Sequence, residues 1–135
     1  MALSIVMTLA LAGSGADDKD TRPKISVKVN PAMGINPVRV VASADLSGGA
    51  NDYEEFYCPS IEWDWGDDTK STNAADCEPY EAGKSEIKRR FTADHTYRQA
   101  GDFRIQFRMK KKNKTTGAST SIKVRPGIYD GSGSY

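Results

Sequence analysis

Apolar and polar positions alternate with a period of two along most of this chain, the signature of extended strands that bury one face. In "KISVKVN", Ile25, Val27 and Val29 fall on one side, and in "PVRVVASAD", Val38, Val40 and Ala42 fall together, with Pro31 and Pro37 punctuating the connection. "IEWDW" sets Ile61, Trp63 and Trp65 against Glu62 and Asp64. The "GDDT" that follows is built from residues that tolerate positive φ or bond their own backbone, so a hairpin begins at Gly66. "FTADHTY" extends from Phe91 to Tyr97, and "DFRIQFRMKKK" places Phe103, Ile105, Phe107 and Met109 inward with Arg104, Gln106, Arg108 and Lys110 outward. "NKTTG" turns the chain, and "STSIKVRP" adds Ile122 and Val124 as a last inward pair. No segment sustains a helical period; residues 84–90 offer a short helical turn at most. The pattern predicts an all-β antiparallel sandwich of about seven strands.

The amino terminus departs from this pattern. "MALSIVMTLALAGSGA" carries an apolar run from Ala2 to Ala12, and both Ala10-Leu11-Ala12 and Ser14-Gly15-Ala16 offer the small residues a signal peptidase requires. No lysine or arginine precedes the run, unlike the usual signal peptide, and the run is too short to span a bilayer. Residues 1–16 are therefore expected to be an export signal or, if retained, an apolar arm. Residues 17–23, "DDKDTRP", read as a linker, 24–126 as the sandwich and 127–135 as a tail rich in glycine and serine.

Charge and composition narrow the function classes. Nineteen basic against eighteen acidic residues leave no global charge signal, so nucleic acid is not an expected partner. With one histidine, no Gly-x-Ser-x-Gly, no phosphate loop and no reactive cysteine in prospect, no catalytic constellation is expected. Cys58 and Cys77 bracket the tryptophan hairpin. In an exported protein such a pair forms a disulfide, and closing a loop of this size contributes roughly 3 kcal/mol. A zinc site would need about four ligands, which two cysteines and His95 do not supply.

The sequence "WDWGDDTKST", followed by "HTYRQAGDFRIQFRM" and a closing hairpin, resembles the polycystic-kidney-disease-type (PKD) domain, an immunoglobulin-like sandwich. That family's pattern is aromatic-Asp-aromatic-Gly-Asp-Gly-Thr, then His-Thr-Tyr, a glycine shortly after, and an alternating strand. The resemblance covers roughly Lys24 to Arg125 and rests on two linked motifs in the right order. Asp68 stands where the family usually has glycine, and the insertion from Asn73 to Arg90, carrying Cys77, is long for the family. The resemblance implies that Trp63 and Trp65 fill the gap between two sheets and that Tyr97 occupies the place of a corner tyrosine whose hydroxyl bonds backbone; the alternation of their strand adds Phe103 and Phe107 to the same core.

Asp64, Asp67 and Asp68 are the weak calcium candidates, because hard cations take several oxygens. The competing reading gives Asp67 and Asp68 to the turn and Asp64 to pairing with bases on the next strand; no cofactor is otherwise expected. If strands near 61–65, 102–110 and 119–125 share one sheet, its outer face carries Glu62 and Asp64 beside Arg104, Arg108, Lys110, Lys123 and Arg125, a basic excess extended by "KKKNK" at the hairpin tip. That face either keeps the sheet solvated or meets an anionic glycan or acidic partner. The chain thus reads as a secreted, non-catalytic module for binding or assembly, outside the cell or at its surface, with a protein partner or copies of itself and without a transmembrane span. The alternative is a carbohydrate-binding or adhesion accessory module, in which exposed tryptophans or the basic face would contact sugar.

Overall fold

A computed structural model describes residues 21–127. The expected signal or arm at 1–16, the first part of the linker and most of the tail lie outside the described residues. Eight strands follow one another: β1 (Lys24–Asn30), β2 (Met33–Ile35), β3 (Val38–Ser47), β4 (Ser60–Asp64), β5 (Lys70–Ala74), β6 (Arg90–Tyr97), β7 (Gly101–Lys111) and β8 (Lys114–Arg125), with one 3₁₀ turn at Glu54–Phe56. They form a three-stranded sheet in the order β1-β3-β6 and a five-stranded sheet in the order β2-β8-β7-β4-β5. All pairs are antiparallel except β2, which runs parallel to β8.

The period-two residues meet between the sheets. Val40, Ala42, Ala44 and Leu46 of β3 and Phe91 and Tyr97 of β6 face Ile61 and Trp63 of β4, Trp65 just beyond it, Ile105, Phe107 and Met109 of β7, and Ile122 and Val124 of β8. Ile25, Val27 and Val29 of β1 close one side, partly buried because β1 is an edge strand. Phe103 is also only partly buried, lying flat against Tyr97 with ring centroids 4.7 Å apart.

Two features were not anticipated. The residues between Pro31 and Pro37 form β2, three residues that add an edge to the second sheet. A strand this short carries no readable period, and its parallel partner lies far along the chain. The long segment after β5 forms turns and extended chain rather than a helix, and it is packed. The Cys58–Cys77 disulfide ties it to the start of β4. Ile87 is buried and donates its N–H to the Asn51 carbonyl, Tyr80 donates its hydroxyl to the Asp52 carbonyl, and the Gly83 N–H reaches Asp52 Oδ2 at 2.8 Å. The Arg89 guanidinium donates to the carbonyls of Leu46, Gly48 and Gly49 and to Asn51 Oδ1, satisfying a loop that has no ladder of its own. The end of the expected linker joins this packing, with Pro23 buried and the Arg22 guanidinium 5.7 Å from the Phe56 ring.

Trp65 lies at the centre of the core with no exposed surface. Trp65→Ala should cost about 3–5 kcal/mol, the range for truncating a large buried aromatic. Urea unfolding followed by near-ultraviolet circular dichroism measures this; an unchanged midpoint would contradict the burial.

Candidate functional site

The turn after β4 is shaped from within. Gly66 adopts φ 81°, and a Cβ there would come within 2.6 Å of the Arg104 carbonyl oxygen, so only glycine fits. Asp68 takes φ 68°, supplying the left-handed residue where glycine was the family expectation. Asp64 Oδ1 accepts from the Gly66 N–H, and Asp67 Oδ1 accepts from both the N–H and the hydroxyl of Thr69. The loop closes with Trp65 N–H donating to the Thr69 carbonyl.

From this turn a network crosses to the opposite sheet. His95 on β6 stacks on the Trp65 indole, with centroids 4.7 Å apart and planes 12° from parallel, and its Nε2 stands 2.7 Å from Asp67 Oδ2. Trp65 in turn lies parallel to Trp63 at 5.7 Å and donates its Nε1–H to Ser71 Oγ. The Tyr97 hydroxyl donates to the Trp65 carbonyl at 2.7 Å. Burial, reinforced by the charges of Asp67 and Asp64, pushes the Tyr97 phenol well above its ordinary pKa and keeps it a donor. Burial also works to raise the Asp67 carboxyl, but hydrogen bonds from Thr69 and His95 outweigh it and hold the group below its ordinary value. An ionised carboxylate only accepts, so Nε2 carries the hydrogen that points at Asp67.

Thr69, His95 and Asp67 together have the residue types of a hydroxyl-histidine-aspartate triad. Their arrangement is different. The Thr69 hydroxyl approaches the same Nε2, at 3.4 Å, that Asp67 already occupies, and it also bonds Asp67 directly. A triad needs the carboxylate on one imidazole nitrogen and the nucleophile on the other. The calcium candidates are likewise spent on turn hydrogen bonds or, for Asp68, exposed alone, and no group of three or more His, Cys, Asp or Glu side chains converges among the described residues. With Trp63 and Trp65 nearly inaccessible, neither ring forms a sugar-stacking surface.

The outer face of the five-stranded sheet holds the remaining candidates, and the structure divides them. Glu62, expected on the solvent side, is 6% exposed. It lies just beneath the surface, roofed by Lys70 at 3.4 Å, Arg108 at 3.4 Å and Lys110. The aliphatic stems of these long side chains cover it while their heads pair with it. The Lys110 hydrogen bond, working against burial and assisted by Lys70, keeps Glu62 below its ordinary pKa. Arg108 also reaches Asp64 at 3.6 Å. Arg108 and Lys110 are therefore tied to acids, whereas Arg104 is bonded to Ser119 Oγ at 3.1 and 2.9 Å, and neither Lys123 nor Arg125 forms an ion pair among the described residues. The hairpin-tip lysines are partly spent as well: Lys111 donates to the carbonyls of Glu54 and Tyr57, and Lys114 lies 3.8 Å from Glu55. Beside Lys123 and Arg125, the registered β2 residues Met33 and Ile35 are exposed.

Sequence reasoning identified these faces but missed the Asp67–His95 contact, the Arg89 clamp, the Lys111 contacts and the Ser119–Arg104 pair. Each joins residues far apart in the chain, and only the His-Thr-Tyr motif pointed toward the first.

This architecture is a PKD-like, immunoglobulin-like fold. No protein-family model and no curated protein matches the chain. Among solved structures it is similar to the PKD domain of an M14-like peptidase from a Thermoplasmatales archaeon, at 12% identity and a TM-score of 0.52, over 78% of this chain and 98% of that one. The likeness concerns the fold.

Two predictions follow from the charges. The stabilisation by Asp67 and Glu62, whose folded pKa values are lowered, is fully present above the ordinary carboxylate range and is lost as pH falls through and below it. Stability should be level at neutral pH and fall below about pH 4, and Asp67→Asn, which keeps the turn acceptor but cannot ionise, should flatten that fall; denaturant titrations from pH 7 to 2 read it, and an unaltered slope would remove Asp67 from the account. Separately, Arg108→Glu sets a third carboxylate against Glu62 and Asp64 and should cost roughly 2 kcal/mol or more, while Arg104→Glu should leave the melting temperature near that of the parent. Equal effects in thermal melts would contradict the division of the face.

Proposed function

We propose that this protein is a secreted, non-catalytic module that works by binding or assembly outside the cell or at its surface. The observation that carries the reading is the fate of its chemistry-bearing residues. The one histidine and Asp67 are consumed by a contact that holds the two sheets together, and Asp64 by its turn and Arg108, with Nε2 shared in a way that leaves no base for a nucleophile. A fold of this type with its reactive groups used internally acts through its surfaces.

Export is supported by the disulfide, which belongs to oxidising compartments, and by the apolar run followed by small residues at 2–16. Among the described residues no helix is long and apolar enough to cross a membrane. Assembly through a chain end is supported by "LSIVMTLAL", which, where retained, is apolar enough to be covered by a neighbouring copy.

Mass and oligomeric state test both parts. The mature protein should weigh two hydrogens less than its reduced form, and size exclusion with light scattering should find the full chain larger than a monomer and a chain starting at Asp17 monomeric. If both run as monomers, the assembly reading falls; if both cysteines label as free thiols in denatured, unreduced protein, the export reading loses its main support.

A further inference from the structure

The outer face of the five-stranded sheet contains a shallow hollow of about 290 Å³, lined chiefly by Arg104, Gln106, Arg108, Thr115, Gly117 and Ser119. We propose that this hollow binds a sulfate or carboxylate group of an acidic polysaccharide, whose chain continues along the face toward Lys123 and Arg125. The proposal rests on the binding-module reading above and names its ligand.

Gly117 makes the hollow. It pairs with Arg108 across the β7–β8 ladder, and a Cβ at this position would lie 1.9 Å from the Phe107 carbonyl oxygen. The close approach of the two backbones therefore excludes any side chain, and the floor of the hollow is left as bare ladder. Around it stand a hydroxyl on either side, from Thr115 and Ser119, the Gln106 amide, and two guanidinium groups.

Arg104 is held ready for an anion. Its Nε and one Nη donate to Ser119 Oγ, which fixes the fork without cancelling its charge, because a hydroxyl is neutral. A guanidinium anchored in this way retains donors in the planar arrangement that matches a carboxylate or sulfate edge. Its ordering entropy is already spent before the ligand arrives. Arg108, by contrast, is balanced by Glu62 and Asp64 and serves as a wall of fixed position.

A single small anion would leave most of this surface unused. Arg104 registers with Ser121, and Lys123 and Arg125 follow on the same face of β8, with Asp102 opposite Lys123 but in no ion pair among the described residues. From the level of Ser121, where Arg104 stands, to that of Arg125 the unneutralised bases extend about 13 Å at the usual rise per residue of a strand. That distribution suits a chain with repeated charges. The hollow's hydroxyls, amide and guanidinium groups match sugar hydroxyls and their acidic substituents, whereas the centre of a protein interface is apolar and aromatic. The exposed pair Met33 and Ile35 registers with Lys123 and Arg125, away from the hollow.

The test is calorimetric titration of the full chain with heparin, which is sulfated, polygalacturonate, which is carboxylated, neutral dextran and poly-glutamate, each at low and moderate salt. Heparin or polygalacturonate should bind, dextran should not, and affinity should fall as salt rises. Which of the two binds identifies the substituent. Arg104→Ala should weaken binding by about tenfold or more. Arg104→Lys, which keeps the charge and loses the fork, should weaken it as well; Ser119→Ala should do so with the melting temperature unchanged, and Lys84→Ala on the distant insertion should have no effect. The proposal is overturned if neither polysaccharide binds, if Arg104→Ala or Arg104→Lys binds as the parent does, or if poly-glutamate binds more tightly than either polysaccharide, which would assign the face to an acidic protein. None of these results depends on oligomeric state or export, so the proposal can fail while the module reading stands.

Discussion

The stacking of His95 on Trp65, locked by Asp67 beneath the turn and by the Tyr97 hydroxyl on the Trp65 carbonyl, is the contact on which the rest of this sandwich depends. Two sheets packed face to face are held by non-directional burial, which resists separation far better than it resists sliding. The network adds direction at one end. It links the β4–β5 turn in one sheet to β6 in the other through hydrogen bonds made in a partly dry environment, where their geometry counts. Because Trp65 also meets Trp63, and Trp63 meets Phe107 at 4.8 Å, the register fixed at the turn is transmitted into the middle of the core.

The same economy ties the histidine and Asp67 to the fold. A group whose hydrogen-bonding capacity is filled by the fold is costly to redirect toward a ligand, since each lost partner leaves a half-buried polar atom unsatisfied. Glu62 is the counterpart on the outer face. Its burial beneath Lys70, Arg108 and Lys110 turns an apparent surplus of bases into a neutralised cluster at one end of the face and a set of unneutralised bases at the other. The potential of the face is therefore uneven, and its unbalanced part lies around Arg104, Lys123 and Arg125.

The long insertion shows a third way of satisfying backbone without a ladder. Arg89, Tyr80, Asp52 and the Cys58–Cys77 bridge tie an irregular segment to the loop between β3 and β4. Lys111 does similar work at the β7–β8 end, where its ammonium meets two carbonyls and sits 5.4 Å from the Tyr57 ring. Basic residues that read as surface charge in a sequence are here internal fasteners.

The period of two along the chain was enough to determine the sheet-forming segments, the inward faces and the hairpin at Gly66, because alternation reports burial of one face wherever a strand has one. It located Trp63, Trp65, Phe107 and Tyr97, and the two linked motifs pointed to the family of folds. It did not show β2, whose three residues are too few to carry a period, nor the packing of the insertion, which has none. The division of the basic face was also invisible: alternation placed Glu62, Arg104 and Arg108 on one side, but which base pairs with which acid depends on cross-strand register and on how long side chains fold over the sheet. By pattern Gly117 belongs to a turn, and only the approach of β8 to the Phe107 carbonyl makes it a position without room for a side chain. Local pattern determines which face a residue takes; its partners are decided by residues tens of positions away, and those distances close only when the sheets pack.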